Sequence, residues 1–233
     1  KPPHPATRPA PGAGPGRGRD DSLAMKLLVA SNNPAKLEEL RRILSAAGVD
    51  GVELVSQGDA PDYPRPTESG RTFKDNALIK ARAGAKHSGL VTVADDSGLA
   101  VDELNGMPGP LSARWSGEHG ADEANNELLL SQLRDTPDER RGAAFVSVCA
   151  LVSPDGREWT AEGRWQGRLL REPRGTGGFG YDPLFVPAEE DEDGARGRTS
   201  AELSREEKDA RSHRRKALSG LVDPIGRLAA EGE

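Results

Sequence analysis

The chain has a single cysteine, few aromatic residues and no long apolar run. One cysteine among 233 residues excludes an intramolecular disulfide framework, and aromatic residues make up only 4% of the chain. No stretch approaches the roughly 18 apolar residues of a membrane-spanning helix, and the first 24 residues lack the apolar centre of a secretory signal. We therefore expect a cytoplasmic protein with no membrane partner.

An excess of positive charge is also missing. The 38 acidic residues outnumber the 32 Lys and Arg residues, so the formal net charge is -6. Because general binding to nucleic-acid phosphates needs a positive surface, this balance argues against a nucleic-acid partner and leaves room only for a local basic pocket. The one cysteine, Cys149, lies within an apolar run at 145–152, which predicts a buried packing residue rather than a nucleophile.

Composition divides the chain into a tail and one folded region. Residues 1–24 consist mainly of Pro, Gly, Ala and Arg, which cannot form a packed core, so we predict a disordered tail. Residues 25–233 alternate apolar and helical patterns that indicate a single α/β domain. An acidic loop insertion is predicted at about 189–198.

The most informative stretch is a predicted strand at 90–94 that is followed by Asp95, Asp96, Ser97 and Gly98. We expect the strand to end there in an acidic corner, with the glycine turning the chain. Neighbouring carboxylates at a buried strand end repel each other unless a cation lies beside them, and Mg²⁺ prefers such oxygen ligands. A solvated Asp-Asp-Ser-Gly turn explains the same residues about equally well.

A second informative stretch lies between a predicted strand at 26–30 and the helix that follows. Asn33 is a good N-cap and Pro34 a good first helical residue, so the helix start offers free N–H groups to an anion. Lys36 lies in the first helical turn, where the helix dipole disfavours a cation, which suggests a use for its charge. An ordinary capped helix is the alternative.

Three further segments carry polar groups that could face a ligand. A predicted helix at 72–87 has Asn76 and Lys80 on one face, residues 175–183 form a glycine-rich loop around two aromatics, and a helical segment at 204–229 is basic near its middle. Each has a simpler reading, namely a surface lysine, a flexible turn and a solvated face. Together with the acidic corner they indicate a nucleoside polyphosphate site.

Five segments of the chain resemble one family, the non-canonical purine nucleoside triphosphate pyrophosphatases of the inosine/xanthosine triphosphate group. The matching segments are Ser-Asn-Asn-Pro-Ala-Lys at 31–36, Thr-Phe-Lys-Asp-Asn-Ala-Leu-Ile-Lys-Ala at 72–81, Ala-Asp-Asp-Ser-Gly-Leu at 94–99, Gly-Thr-Gly-Gly-Phe-Gly-Tyr-Asp-Pro at 175–183 and Ser-His-Arg at 212–214. The resemblance implies an elongated mixed β-sheet flanked by helices, two lobes with a central substrate cleft, and a homodimer.

The resemblance also implies roles for individual residues. Lys80 would neutralise phosphate charge, and Asp96 would orient or deprotonate the attacking water or bind metal itself. Mg²⁺ would be held by Glu68 and Asp95, and the sequence does not separate the roles of the two aspartates. Asn33 and Lys36 would hold phosphate, and Ser31, Asn32, Pro34 and Ala35 complete the implied substrate-binding turn. The implied catalytic residues are Asp96, Lys36 and Lys80. Those implied around the nucleoside are Ser97, Phe179, Gly180, Tyr181, Asp182, Lys208, His213 and Arg214.

The implied reaction is hydrolysis between the α and β phosphates, which yields a nucleoside monophosphate and pyrophosphate. The implied substrates are ITP, dITP and XTP, whose 6-oxo group accepts a hydrogen bond where adenine donates one. Two alternatives stay open: a pyrophosphatase with another base preference, and an inactive nucleotide-sensing protein. A nucleic-acid-binding module that uses the basic 205–216 segment conflicts with the acidic net charge.

Overall fold

A computed structural model describes residues 24–192 and 197–232. The predicted tail therefore lies outside the described residues except for Ala24, as does the centre of the acidic insertion. The helices and strands occur in this order: β1 (Met25–Val29), α1 (Pro34–Ala46), β2 (Val52–Ser56), α2 (Phe73–Ser88), β3 (Val91–Val101), α3 (Asp122–Gln132), β4 (Gly142–Val152), β5 (Glu158–Leu169), β6 (Phe185–Pro187), α4 (Arg205–Arg211), α5 (His213–Ser219) and α6 (Val222–Glu231).

The six strands form one mixed sheet in the order β2-β1-β3-β4-β5-β6. Strand β1 runs parallel to β2 and β3, and the remaining pairs are antiparallel. The predicted mixed sheet with flanking helices is confirmed. The apolar patterns at 143–152 and 158–168, joined by the turn at 153–156, also predict antiparallel strands, and the pair β4 and β5 confirms this. The two lobes and their cleft stay a prediction from the resemblance.

Helices cover both faces of the central strands. On one face, α1, α5 and α6 pack on a core that includes Leu27, Cys149 and Ile225. On the other face, small residues of α2 such as Ala77 and Ala81 lie against alanines and valines of β3 and β4, so this helix approaches the sheet closely. Cys149 is fully buried, and burial raises the pKa of its thiol, as expected of a packing residue.

The starts of α1 and α4 follow the predicted capping chemistry, since Asn33 and Pro34 predict the first and the spacing of Ser204 and Glu207 predicts a capping box at the second. The Asn33 side chain accepts a hydrogen bond from the Ala35 N–H at 3.0 Å, and Pro34 begins α1. Thr72 and Ser204 each begin a helix with a capping box. No helix within residues 24–192 and 197–232 combines the length and apolarity that a membrane span requires.

The predicted end of the third strand at residue 94 is wrong. Strand β3 continues through both aspartates to Val101 because each residue from Thr92 onward pairs with β4 in an unbroken antiparallel register. Gly98 does not turn the chain. A Cβ at Gly98 would lie 2.7 Å from the Gly109 carbonyl oxygen, so glycine here permits the close approach of the 3₁₀ helix Gly109–Arg114.

Candidate functional site

The site lies where β1 ends and β3 continues with only β4 beside it. Strand β1 pairs with β3 only as far as Val29 opposite Val93, and the Ala30 N–H donates to the Val93 carbonyl at 2.9 Å. Beyond that point, no strand of the described residues pairs with this edge of β3 at 94–98. The chain leaves β1 there and enters α1, which brings the helix N-terminus beside the unpaired edge.

Asp95 and Asp96 point to opposite faces of the sheet, because consecutive residues of a strand alternate. Asp95 shares a face with the core beneath α1 and α5, and Asp96 faces α2. Both carboxylates are largely buried, with exposed fractions of 11% and 15%. The acidic pair is thus two separate half-sites on either side of one strand.

On the first face, Asp95 is held by cations. The Lys36 Nζ lies 2.8 and 2.9 Å from its two carboxylate oxygens, and the Arg214 Nε lies 3.8 Å from Oδ2. The Ser97 hydroxyl contacts the same oxygen at 3.4 Å and donates to the Ser147 hydroxyl at 2.9 Å. A small pocket opens beside these groups, with Lys36, Asp95 and Arg214 in its wall.

On the second face, Lys80 joins two carboxylates. Its Nζ lies 2.6 Å from Glu68 Oε1 and 3.6 Å from Asp96 Oδ1. The Asn76 side chain donates to Asp96 Oδ2 at 3.2 Å and accepts from the Gly70 N–H at 2.7 Å. Asn76 therefore ties the segment that carries Glu68 to the strand that carries Asp96.

The two aspartates differ in pKa. Burial acts to raise the pKa of Asp95, but the nearby Lys36 and Arg214 outweigh it and hold the pKa below its usual value. Burial raises the pKa of Asp96, and the more distant Lys80 offsets this only in part. A carboxylate with a raised pKa accepts a proton more readily, so Asp96 has the character of a base.

The second face also suits a divalent cation. Within the described residues, no three His, Cys, Asp or Glu side chains form a group that could hold a metal. Glu68 and Asp96 nevertheless direct oxygens at one cationic nitrogen, Lys80 Nζ. Mg²⁺ needs only one or two protein carboxylates when substrate phosphates and water complete its shell, so this donor pair fits it.

The glycine-rich loop presents one exposed ring. The Phe179 side chain is 71% exposed, and the Lys208 Nζ lies 4.7 Å from its centroid. Beneath it, the buried Asp182 accepts from the Phe179 N–H at 2.9 Å, from the Ser200 hydroxyl at 2.8 Å, and from Lys208. An exposed ring beside a lysine is suited to stacking on a flat base.

The remaining predicted nucleoside residues differ in what they can offer. Tyr181 is 4% exposed and its hydroxyl donates to the Ser112 carbonyl at 2.7 Å, so its side chain is a packing group of the loop. His213 stacks on Phe145 with the ring centroids 5.4 Å apart. Burial, reinforced by Arg214, lowers the pKa of His213 to about 3, so its imidazole is neutral.

Two buried polar atoms stand out on the Asp95 face. The His213 Nδ1 and the Arg214 Nε make no hydrogen bond with any described residue. Buried polar atoms are normally paired, so such atoms suit a polar ligand. The turn at 31–36 lies at the same end of α1, where Asn32 to Ala35 are exposed and Lys36 is half-buried.

For three residues that contribute hydrogen bonds to the site, the sequence predicted no partner. Asn76 shares a helical face with Lys80, which is a usable signal, but its bond to Asp96 depends on the packing of α2. Asp122 and Asn126 of α3 contact Gly180 of the glycine-rich loop from more than 50 residues away. No local pattern identifies such a contact.

Comparison with known proteins gives consistent matches across most of the chain. The model of the Ham1 family matches residues 27–224. A dITP/XTP pyrophosphatase of Corynebacterium efficiens is 66% identical over 207 residues, which is 89% of this chain and 100% of that protein. The crystal structure of a nucleoside-triphosphatase, dITP/XTP pyrophosphatase, from Mycobacterium abscessus is 60% identical, with a TM-score of 0.71 over 89% of this chain and 97% of that one. The Staphylococcus aureus Ham1 protein is 36% identical, with a TM-score of 0.76 over 87% and 99%.

Proposed function

Since this chain belongs to the Ham1 family, we infer that it hydrolyses the non-canonical purine nucleoside triphosphates ITP, dITP and XTP to the monophosphate and pyrophosphate. This activity would clear such nucleotides from the pool before they enter DNA or RNA. The observation that carries the proposal is the placement of one lysine–carboxylate group on each face of β3.

The phosphates lie at the start of α1. Lys36 supplies positive charge there, and the N-terminal end of the α1 dipole adds to it. The N–H groups of Ser31, Asn33 and Ala35 donate within the turn and to β1, so the expected set of free N–H donors is not present. Asp95 keeps Lys36 in place through two short contacts, so it acts through the lysine. Its implied role as a metal ligand is less well supported, because it lies on the opposite face from Glu68.

Glu68 and Asp96 would hold Mg²⁺, with Lys80 moving from between them onto the phosphate chain. The bound ion would supply positive charge that stabilises the departing pyrophosphate. Asp96 accepts a proton from the attacking water, whose oxygen forms a bond to the α phosphorus. The bond from that phosphorus to the bridging oxygen breaks, and the electron pair leaves with pyrophosphate.

The base lies between the glycine-rich loop and α5. Phe179 stacks on the purine, Lys208 flanks the ring, and Ser97 lies nearby on the strand. Arg214 is a cationic donor that favours the 6-oxo acceptor, and adenine would direct its amino group at that donor. Discrimination of this kind depends on buried groups that the wrong base leaves unpaired.

Product analysis tests the proposal. The full chain is incubated with Mg²⁺ and, separately, ITP, XTP, GTP and ATP, and pyrophosphate is resolved from orthophosphate. We expect monophosphate and pyrophosphate from ITP and XTP and little from the other two. Equal use of all four would favour a pyrophosphatase with another base preference. Binding without turnover would favour a nucleotide-sensing protein, and orthophosphate release would contradict the proposed bond cleavage.

The oligomeric state, location and Mg²⁺ dependence belong to the same proposal. We propose a cytoplasmic homodimer that binds nucleotides and not nucleic acids. Sedimentation equilibrium at micromolar concentration should give twice the 24.8 kDa mass of one chain. Removal of Mg²⁺ by a chelator should abolish turnover, and its return should restore it.

A further inference from the structure

Side chains of helix α3 bind the backbone of the glycine-rich loop. Gly180 donates its N–H to Asp122 Oδ2 at 2.8 Å and accepts at its carbonyl from Asn126 Nδ2 at 2.9 Å. The two side chains are four residues apart and share one face of α3. Both polar groups of a single peptide residue in the loop are therefore bound by α3.

Phe179 immediately precedes this residue and is fixed on its other side as well. Its N–H donates to Asp182 Oδ2 at 2.9 Å, and its carbonyl accepts from the Asp182 N–H at 3.2 Å. Gly178 and Gly180 both have positive φ, at +70° and +59°, which bends the backbone sharply on each side of Phe179. The backbone of Phe179 is thus clamped while its ring projects into solvent.

We propose that Asp122 and Asn126 are positioning residues for nucleobase recognition: they hold Gly180 and so aim the Phe179 ring at the purine. The proposal rests on the proposed function, in which Phe179 stacks on the base. Since Phe179 is 71% exposed, with Lys208 over its ring, packing restrains the ring only weakly and its direction depends on the backbone. Asp122 and Asn126 supply that backbone restraint from a helix that is anchored in the core by Leu129.

Helix α3 is suited to this role because another of its side chains binds the backbone of a second segment, at 112–116. Asn125 is buried, accepts from the Ser116 N–H at 2.7 Å and donates to the Ala113 carbonyl at 3.2 Å. Tyr181 of the glycine-rich loop also binds the segment at 112–116, because its hydroxyl donates to the Ser112 carbonyl. The polar face of α3 thereby joins the glycine-rich loop to the segment at 112–116.

The test uses Asp122→Ala and Asn126→Ala in the full chain, with Glu123→Ala and Glu127→Ala as matched controls. The control residues are exposed neighbours on the same helix, and their side chains make no hydrogen bond or ion pair with any described residue. We expect each clamp variant to raise KM for ITP about 3- to 10-fold with little change in kcat, and the controls to behave as the parent protein.

A double-mutant cycle separates positioning from general loss of structure. If Asp122 and Asn126 act through the ring, their effect on KM disappears in a Phe179→Ala background. Additive effects in that background would overturn the proposal, as would an unchanged KM in a folded Asp122→Ala, Asn126→Ala double variant.

Amide hydrogen exchange tests the clamp in the same samples without turnover. We expect faster exchange at 178–182 in the clamp variants and unchanged exchange in β3 and β4. Unchanged exchange at 178–182 would overturn the clamp. If the parent protein fails to release pyrophosphate from ITP, the proposed function is wrong, and the exchange measurement still decides whether α3 holds the loop.

Discussion

The two faces of β3 place identical residues in opposite environments. Asp95 is bound by Lys36 at 2.8 and 2.9 Å, and its pKa is lowered despite burial because Lys36 and Arg214 outweigh the desolvation. Asp96 has an amide at 3.2 Å and a lysine at 3.6 Å, and burial raises its pKa. A firmly paired carboxylate is suited to holding a cation in place, and a loosely paired one to exchanging a proton or a ligand.

This difference shows why two adjacent carboxylates do not simply repel each other. The strand directs them to opposite sides of the sheet, and each meets its own lysine, Lys36 from α1 or Lys80 from α2. In the proposed function, the sheet would separate a phosphate-binding half with Lys36 from a water-activating half with Asp96. Mutations that affect only one half can test this division.

The largest expected effect comes from Asp96→Asn. The amide preserves the shape and the contact with Asn76 but cannot accept the proton of water, so we expect kcat for ITP to fall about 10³-fold. The matched variant Asp95→Asn should lower kcat/KM only about 10-fold, because it weakens the restraint on Lys36. Initial-rate kinetics measure both. Equal losses in two folded variants would contradict the division of roles.

A smaller effect is expected from Lys36→Ala. Loss of a charged donor from the phosphate-binding half should raise KM for ITP about 10- to 100-fold and also reduce the rate. The exposed Lys74→Ala of α2 removes the same charge away from the site and serves as the control. A Lys36→Ala variant with the parent KM would remove this lysine from phosphate binding.

The smallest expected effect concerns the pH dependence of stability. His213 lies on the Asp95 face with a folded-state pKa of about 3, below its unfolded value of about 6.5. Its contribution to stability is therefore present above pH 6.5 and is lost as the pH falls toward 3, because only the unfolded state takes up the proton. The charged groups that face it are Arg214, Lys208, Asp95 and Lys216.

His213→Phe keeps an aromatic ring against Phe145 and removes this titration. Between pH 7.5 and 5.0, we expect the free energy of unfolding of the parent protein to fall by about 1–2 kcal/mol more than that of the variant. Urea unfolding at the two pH values measures the difference. Identical pH dependence in both proteins would show that His213 is not held neutral.

Local features of the fold were predictable because they depend on neighbouring residues. Asn33 and Pro34 begin α1 as their capping chemistry requires, and Ser204 begins α4 with its capping box. The turn between β4 and β5 likewise follows from Pro154 and Gly156. Strand β2 was not predicted, because its sequence Val-Glu-Leu-Val-Ser does not alternate regularly between apolar and polar residues.

The candidate site was predictable as a set of residues and not as an arrangement. The motif at 94–99 identified both aspartates, but it suggested a turn where β3 continues, because Gly98 serves a close contact with the 3₁₀ helix Gly109–Arg114. Tyr181 belongs to the same loop motif as Phe179, yet one ring is buried and the other exposed. Burial of this kind is decided by distant segments.

The sequence by itself determined the chemical groups of this protein and the helix starts that present them, because caps, turns and charges act over a few residues. Tertiary structure alone decided that β1 stops at Val29 while β3 continues, that Asp95 meets Lys36 and Asp96 meets Lys80, and that α3 holds Gly180. The physical reason is that pairing register and helix packing join residues far apart in the chain, and these contacts set the burial and charge that distinguish one aspartate from the next.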